Sequence, residues 1–324
     1  MHHITSLKSV SKELAQGLKV LKGRIEAADI SPSQLDESFN LATWNIREFG
    51  KTSRSVAAIH YIAEILGQFD LIAVGELRDD LRDLARVLQI LGPYWKAVYS
   101  DAVMDPGGNR ERIAYIYDKR QISFNGMASA AYSPRTKKGT EWIPDSTWWR
   151  PPYIASFKSG NFDFVVLSTH IRWGEKESGR TEELSNLAKW VDDKVKLIKK
   201  GGKSWTHRDI FVMGDFNIPS RRSPLFDAIT SRGLQIPNAL LHQAFGSNLE
   251  KNKWYDQILH LPGYPDNFSN KGGVLDFYCG DHTPLFDKLT KQQFTYQISD
   301  HLPLWIQVNT DIDGFELDQI IKKS

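Results

Sequence analysis

Five short polar motifs punctuate this 324-residue chain, each at the end of an apolar run. Asn45 follows Ala42-Thr43-Trp44, Glu76 follows Leu71-Ile72-Ala73-Val74, and His170 follows Val165-Val166-Leu167-Ser168-Thr169. Asp215 and Asn217 stand in Gly214-Asp215-Phe216-Asn217, and Asp300-His301 precedes Leu302. These residue types suit hydrolysis of a phosphate ester. That reaction needs charge on the phosphoryl oxygens cancelled, a water activated and an alkoxide protonated. A hard cation such as Mg²⁺ takes carboxylate and amide oxygens, which Glu76, Asn45, Asp215 and Asp300 can supply. Histidine, with an ordinary pKa of ~6.5, gains or loses a proton near neutrality. Two histidines, each oriented by a carboxylate, can serve as base and acid on opposite faces of a phosphate.

Each motif alone has an ordinary explanation. Gly-Asp-Phe-Asn makes a turn, because Asp and Asn favour such backbone. A Glu after a buried strand complements the next helix N-terminus. His170 fits a structural strand end, and Asp300-His301-Leu302-Pro303 fits a strand entry. The combination weighs more, because these explanations are independent and would all have to hold.

The elements that must position these groups show in the periodicity. Predicted strands are Phe39–Trp44, Leu71–Val74, Ile113–Tyr117, Phe162–Leu167, Ile210–Met213, Val274–Tyr278 and Leu302–Val308. Helical spacing marks 4–28, Val56–Leu66, Asp80–Leu91 and Glu183–Lys199. If the strands share a sheet, the polar groups converge at one edge, where α/β scaffolds build their sites. Two long loops, Ser129–Trp148 and Gln235–Lys253, are expected to shape a substrate surface. The expected organisation is an N-terminal helical extension (1–38), a catalytic domain (39–310) and a C-terminal tail (311–324). The extension either covers a core edge or offers a helix to a protein partner.

Composition is that of a globular protein, with 41% hydrophobic and 25% charged residues. No apolar run approaches the ~18 residues of a membrane span, and no secretion signal is read at the N-terminus, so stable membrane insertion is not expected. The single cysteine, Cys279, excludes an intramolecular disulfide and a cysteine-ligated zinc cluster, and reads as a small strand residue. Net charge is only +2, too mild by itself to prove a polyanionic partner. Basic runs at Arg135-Thr136-Lys137-Lys138, Lys199-Lys200 and Arg221-Arg222 gain weight only if they surround a site.

Taken in order, Thr43-Trp44-Asn45, Gly75-Glu76, Ser168-Thr169-His170, Gly214-Asp215-Phe216-Asn217 and Ser299-Asp300-His301 resemble the motif series of the endonuclease/exonuclease/phosphatase superfamily. The resemblance runs from about Leu41 to Val308. Glu76-Leu77-Arg78-Asp79, Arg110-Glu111-Arg112, Trp149-Arg150-Pro151-Pro152 and Tyr255-Asp256-Gln257-Ile258 are similar to its deoxyribonuclease I-like branch. The resemblance implies a four-layered α/β sandwich, two packed mixed β-sheets flanked by helices. It also implies dependence on Mg²⁺ or Mn²⁺. Glu76 would be the main metal ligand, helped by Asn45 and Asp300. His301, oriented by Asp215, would be general base or transition-state partner, although Asp215 itself can activate water. His170, oriented by Glu111, would be its counterpart at the leaving oxygen. Asn217 and Asp256 would position phosphate, water or metal, and Arg78, Arg112 and Arg150 would contact phosphate. The ordinary alternative for Arg112 is a structural ion pair.

Three features depart from the family pattern. Gly75 stands where Gln is common, Ile171 follows His170 where Pro is often near, and the disulfide of the secreted nucleases is missing. The last fits a cytoplasmic protein. The expected activity is therefore a metal-dependent endonuclease on nucleic acid, with DNA favoured. The first rival is a lipid or inositol-phosphate phosphatase, or a sphingomyelinase-like phosphodiesterase, with Trp142, Trp148 and Trp149 as a docking loop. The second is an inactive binding or scaffold protein, which the intact motif set argues against.

Overall fold

The computed structural model describes residues 7, 10–102, 109–133, 135–144, 148–174, 177–199, 209–261 and 268–323. Ile4, Glu175 and Lys200 lie outside them. The first elements are α1 (Lys12–Glu26), β1 (Ser38–Phe49), α2 (Val56–Leu66), β2 (Leu71–Leu77), α3 (Arg82–Leu91), β3 (Trp95–Tyr99) and β4 (Arg112–Asp118). Then come β5 (Ser123–Ala130), β6 (Arg135–Lys138), β7 (Glu141–Pro144), β8 (Tyr153–Ser159), β9 (Phe162–His170), α4 (Glu177–Lys199) and β10 (Asp209–Asp215). The chain continues through α5 (Pro224–Thr230), α6 (Asn238–Leu241), β11 (Asp256–Leu261), β12 (Phe268–Val274), α7 (Lys291–Gln297), β13 (Leu304–Asn309) and α8 (Asp313–Lys323).

Two mixed sheets result, ordered β12-β13-β1-β2-β4-β3 and β11-β10-β9-β8-β5, with β6 and β7 as a separate hairpin. Each large sheet contains one parallel pair, β1/β2 in the first and β9/β10 in the second. The sheets pack face to face with helices outside, the sandwich expected. Alternation along the strands explains why. Phe164, Val166, Phe211 and Met213 face the first sheet, while Val165, Leu167, Ile210 and Val212 pack with Leu184, Leu187 and Val191 of α4. Phe39 stacks on Phe164 across the interface with ring centroids 4.9 Å apart. The buried Tyr115 hydroxyl on β4 donates a hydrogen bond across the same interface, lying 2.7 Å from the Tyr153 carbonyl oxygen and 3.0 Å from that of Val166. It therefore fixes the two sheets against each other.

α1 buries Leu14, Leu18, Leu21 and Ile25 in the main core. Its apolar face is thus spent on covering the domain, and the helix begins at the Ser11 cap, whose hydroxyl accepts the Leu14 N–H at 3.2 Å. The expected C-terminal tail contains a helix, α8.

Other boundaries differ from the sequence reading for local reasons. The strand expected at Val274–Tyr278 instead ends at Val274. Asp276 Oδ1 accepts the N–H groups of Tyr278 and Cys279, and Cys279 adopts φ 50°, so the chain turns away. Cys279 is accordingly an exposed turn residue and not a strand residue. The long loop Ser129–Trp148 contains the β6/β7 hairpin, turned at Gly139 with φ 63°. β3 and β5 occupy sheet edges and lack clean alternation, which hid them.

Candidate active site

Backbone register delivers most of the polar residues to one place. On the second sheet His170 is the partner of Asp215, and Asp215 is the partner of Asp256, so three adjacent strands present these side chains in a row. On the first sheet Asn45 pairs with Gly75. The register then slips between Asn45 and Phe49 on β1, and between Val74 and Leu77 on the β2/β4 pair. Glu76 sits in this irregularity at φ 57°, uncommon for a residue with a Cβ. Its carboxylate is held there by the Glu48 N–H, which donates to Oε2 at 2.8 Å. Gly214 makes the matching turn on β10 with φ 130°. A Cβ there would lie 2.0 Å from the Thr169 carbonyl oxygen, so the position requires glycine.

The two sheets meet chemically at Asn45. Its Nδ2 donates to Glu76 Oε1 and to Asp215 Oδ2, each at 3.0 Å. Asp215 Oδ2 also faces two buried imidazoles, with His170 Nε2 at 3.6 Å and His301 Nε2 at 3.8 Å. Each ring is fixed from behind. His170 Nδ1 is 2.8 Å from Glu111 Oε2, and His301 Nδ1 is 2.7 Å from Asp256 Oδ2. With Nδ1–H donating to a carboxylate, Nε2 is turned toward Asp215 in both rings. The residue that orients His301 is thus Asp256, not Asp215 as the resemblance implied. Asp256 lies directly behind the ring, whereas Asp215 lies between the two rings.

Residues to which the sequence reading gave no role hold the arrangement. Ser247 Oγ donates to Asp256 Oδ2 at 2.6 Å. Its carbonyl accepts the Leu302 N–H, and Asn248 bridges to His301, so the 235–253 loop braces the His301 segment. Buried Ser299 donates to the Asn45 carbonyl at 2.6 Å and accepts the His301 N–H at 3.0 Å. Trp44 Nε1 donates to the His301 carbonyl at 2.8 Å. These bonds tie the Thr43-Trp44-Asn45 motif to the Ser299-Asp300-His301 motif. The Arg180 guanidinium caps the Asn217 carbonyl at 2.8 Å. A small hydroxyl such as Ser247, in a loop without periodicity, leaves no signal in a single sequence.

The other expected site residues distribute unevenly. Asn217, at φ 51°, donates its N–H to Asp215 Oδ1 at 2.9 Å and its side-chain amide to the Ile171 carbonyl at 2.7 Å. Its described bonds therefore fix Asp215 and the β9 end. Arg150 pairs with Glu111 at 3.1 Å while its Nη1 is buried with no hydrogen-bond partner. Arg78 pairs with Glu48 at 3.2 Å. Arg112 is taken up by the Arg78 carbonyl at 3.1 Å and by Asp79 at 3.3 Å. Asp300 is 42% exposed and pairs with Arg47 at 3.5 Å.

A divalent cation fits this donor set through few protein ligands. Among the described residues no group of three or more His, Cys, Asp and Glu side chains could hold a metal. Asn45 Oδ1, however, is buried with no hydrogen-bond partner beside Glu76. An amide oxygen and one carboxylate suit Mg²⁺, which keeps most of its water.

The electrostatics differ between the two rings. Burial works against a charged imidazole at both. At His170 the Glu111 hydrogen bond and the charges of Asp215 and Glu111 outweigh it and raise the pKa, although Arg150 opposes them. At His301 the charges of Asp256 and Asp215 and the bond to Asp256 raise it well above the ordinary value. Burial would raise Glu111, but the His170 bond and the charges of His170, Arg150 and Arg78 hold it down at about 2. Asp256 is pushed up by burial against the pull of His301. The proton of that pair rests on the imidazole, because His301 faces two carboxylates while Asp256 faces one cation.

Residues 42–301 match the Endonuclease/Exonuclease/phosphatase family. The chain belongs to that family. The name of the Endonuclease/Exonuclease/phosphatase family spans nucleases and phosphatases, hydrolases of phosphoester bonds. A protein named Deoxyribonuclease from Thioalkalivibrio sp. (strain K90mix) is 25% identical over 303 residues, covering 85% of this chain and 72% of that one. Deoxyribonuclease-1 of Sus scrofa is 28% identical over 192 residues, 57% of this chain and 62% of that enzyme, so the match spans less than two thirds of the mammalian relative. Solved structures superpose across most of the chain. An endonuclease/exonuclease/phosphatase family protein from Bacteroides thetaiotaomicron has a TM-score of 0.54 at 18% identity, covering 85% of this chain and 96% of that one. A mannosyl-6-phosphatase of Bacteroides thetaiotaomicron VPI-5482 has a TM-score of 0.51 at 16% identity, covering 83% and 99%. At such identities the likeness establishes the shared fold alone.

Proposed function

We propose that the protein is a divalent-metal-dependent endonuclease that hydrolyses phosphodiester bonds in DNA. The observation that carries this reading is Asp215 Oδ2, which receives Asn45 and faces two carboxylate-backed imidazoles at 3.6 and 3.8 Å. A phosphate ester placed beside it meets a carboxylate, two proton carriers and a cation site together. Glu76 and Asn45 Oδ1 would hold Mg²⁺ or Mn²⁺, whose charge when bound opposes that of the phosphoryl oxygens. Asp300, paired with Arg47, is a peripheral contributor in this scheme.

Asp215, held at Oδ1 by the Asn217 N–H, orients and deprotonates the attacking water. His301 keeps its proton and acts as cationic partner of the charge that builds on the phosphate. His170, whose grip on its proton Arg150 weakens, passes that proton to the leaving oxygen. Arg150, whose Nη1 has no hydrogen-bond partner, would contact a phosphate oxygen. The deoxyribonuclease names of the matched relatives support DNA over a lipid headgroup. No helix among the described residues is long and apolar enough to cross a membrane.

Purified protein should nick supercoiled plasmid with Mg²⁺ or Mn²⁺ and stop when EDTA is added. Release of phosphate from inositol phosphates or from mannose 6-phosphate, with plasmid left intact, would reject the nuclease reading.

A further inference from the structure

The basic run Arg135-Thr136-Lys137-Lys138 takes its meaning from where the chain carries it. It forms β6, which pairs antiparallel with β7 in a two-stranded ribbon outside both large sheets. In the chain the ribbon lies between β5 and β8, and it springs from the end of the second sheet that carries His170. Ala130, the last residue of β5, stands opposite Tyr153, the first of β8. Tyr153 in turn stands opposite Ser168, two residues before His170. The root of the ribbon is fixed there. The Ala131 N–H donates to the Pro152 carbonyl at 2.7 Å, and Trp190 Nε1 on α4 donates to the Tyr132 carbonyl at 3.0 Å. On the return the chain passes through Arg150, which pairs with Glu111, the carboxylate behind His170.

Register sorts the ribbon's side chains onto two faces. Lys137 is directly opposite Trp142 and Arg135 is opposite Pro144, so these residues share one face. Lys138 opposite Glu141 and Thr136 opposite Ile143 form the other, where one lysine and one glutamate offset each other. The first face thus carries two cations and an indole, and no anion. Every residue of both strands is exposed, Trp142 at 62%. Neither Arg135 nor Lys137 forms an ion pair with a described residue. A two-stranded hairpin standing alone is marginal in water, and Trp142 and Ile143 belong to neither core cluster. Unmatched positive charge beside a planar ring suits a polyanion whose charges are spaced by partly apolar units. A two-stranded ribbon also has a width that the ~12 Å major groove of B-form DNA admits.

We propose that the β6/β7 ribbon is an arm that grips the DNA duplex beside the cut, with Arg135 and Lys137 meeting backbone phosphates and Trp142 covering the sugars between them. The proposal rests on the nuclease reading and adds to it a contact surface separate from the imidazoles and the cation site. Phosphates carry no sequence, so the arm holds DNA of any sequence, and its contribution weakens as salt rises.

The test measures binding without cutting. The full chain is titrated against a short fluorescein-labelled duplex in EDTA, and anisotropy is read across a salt series. Replacing Arg135→Ala and Lys137→Ala together should weaken binding and lower the slope of log affinity against log salt by about two, since each lost phosphate contact removes ~0.9. Arg135→Lys with Lys137→Arg keeps both charges and should keep the slope. Trp142→Ala should weaken binding at every salt concentration and leave the slope as it was. Removing the same charge from exposed positions of α1, with Lys12→Ala and Lys19→Ala, should leave affinity and slope near those of the unaltered protein. An unchanged slope in the Arg135 and Lys137 double alanine variant, an equal loss in the α1 variant, or no binding by the unaltered protein overturns the proposal. Plasmid nicking with Mg²⁺ or Mn²⁺ separates the two readings. Nicking by a protein whose slope ignores Arg135 and Lys137 would sink the arm and leave the nuclease. A slope that depends on both residues, with no strand cut under either metal, would sink the nuclease reading and leave the arm standing.

Discussion

The two parallel strand pairs end side by side but are built differently. β9 and β10 run in unbroken register from Phe164/Asp209 to His170/Asp215, and they end on an imidazole beside a carboxylate. β1 and β2 lose register after Asn45/Gly75, and the slip places Glu76 at φ 57° beside an amide oxygen without a partner. Regular pairing suffices to line up side chains that work in a row. Turning one carboxylate sideways toward a cation requires breaking the pattern. Under the proposed scheme, proton traffic falls to the second sheet and cation binding to the first.

The largest effect expected from that division is at His170. His170→Ala should lower plasmid turnover by about 10²–10⁴-fold and leave calorimetric Mg²⁺ affinity unchanged. Lost affinity with turnover kept would break the division. The next effect is on stability. Glu111 has a folded pKa of about 2 against an ordinary 4.5, so it stabilises fully above pH 4.5 and loses this as pH falls toward 2. Its partner His170 has a raised folded pKa, so its share is full below ~6.5 and fades as pH rises through the folded value. These are one contact seen from two sides, on the order of 3 kcal/mol, and greatest between pH 4.5 and ~6.5. Glu111→Gln should flatten both limbs in urea unfolding measured across pH, and an unaltered profile would show that Glu111 bears no such load.

A smaller effect is expected on the first sheet. Glu76→Gln should weaken Mg²⁺ binding at least about tenfold, ~1.4 kcal/mol, with activity partly recovered at high Mg²⁺. Activity independent of Mg²⁺ concentration in that variant would move the cation elsewhere. Smallest is Arg112→Ala. Its guanidinium is occupied by Arg78 and Asp79, so a loss of about 1 kcal/mol in stability and little in turnover is expected. A large rise in KM would return Arg112 to the phosphate.

What the sequence made legible follows the same division. Val165–Leu167 and Ile210–Met213 are continuous apolar runs because both faces of these central strands are buried, and the polar residue ending each run stands out. Edge strands such as Ser123–Ala130, half exposed and mixed in type, lack that contrast. His170, Asp215 and His301 were readable as a set, but which carboxylate backs His301 was not. That choice depends on the antiparallel register of β10 with β11, decided by pairing over distance rather than by local spacing. Asp300 shows a different limit. The resemblance implied a ligand, and its carboxylate pairs with Arg47 at 3.5 Å, a long-range contact that local spacing does not show.

β1, which carries Asn45, has β13 as one of its two neighbours, with Ser38 opposite Asn309. On a ribosome the first of these strands waits, one edge bare, until the other has been translated. His301 is made in the same late stretch. Under the proposed scheme, a polypeptide that stops before His301 carries the cation ligands without the second imidazole and leaves that edge of β1 open.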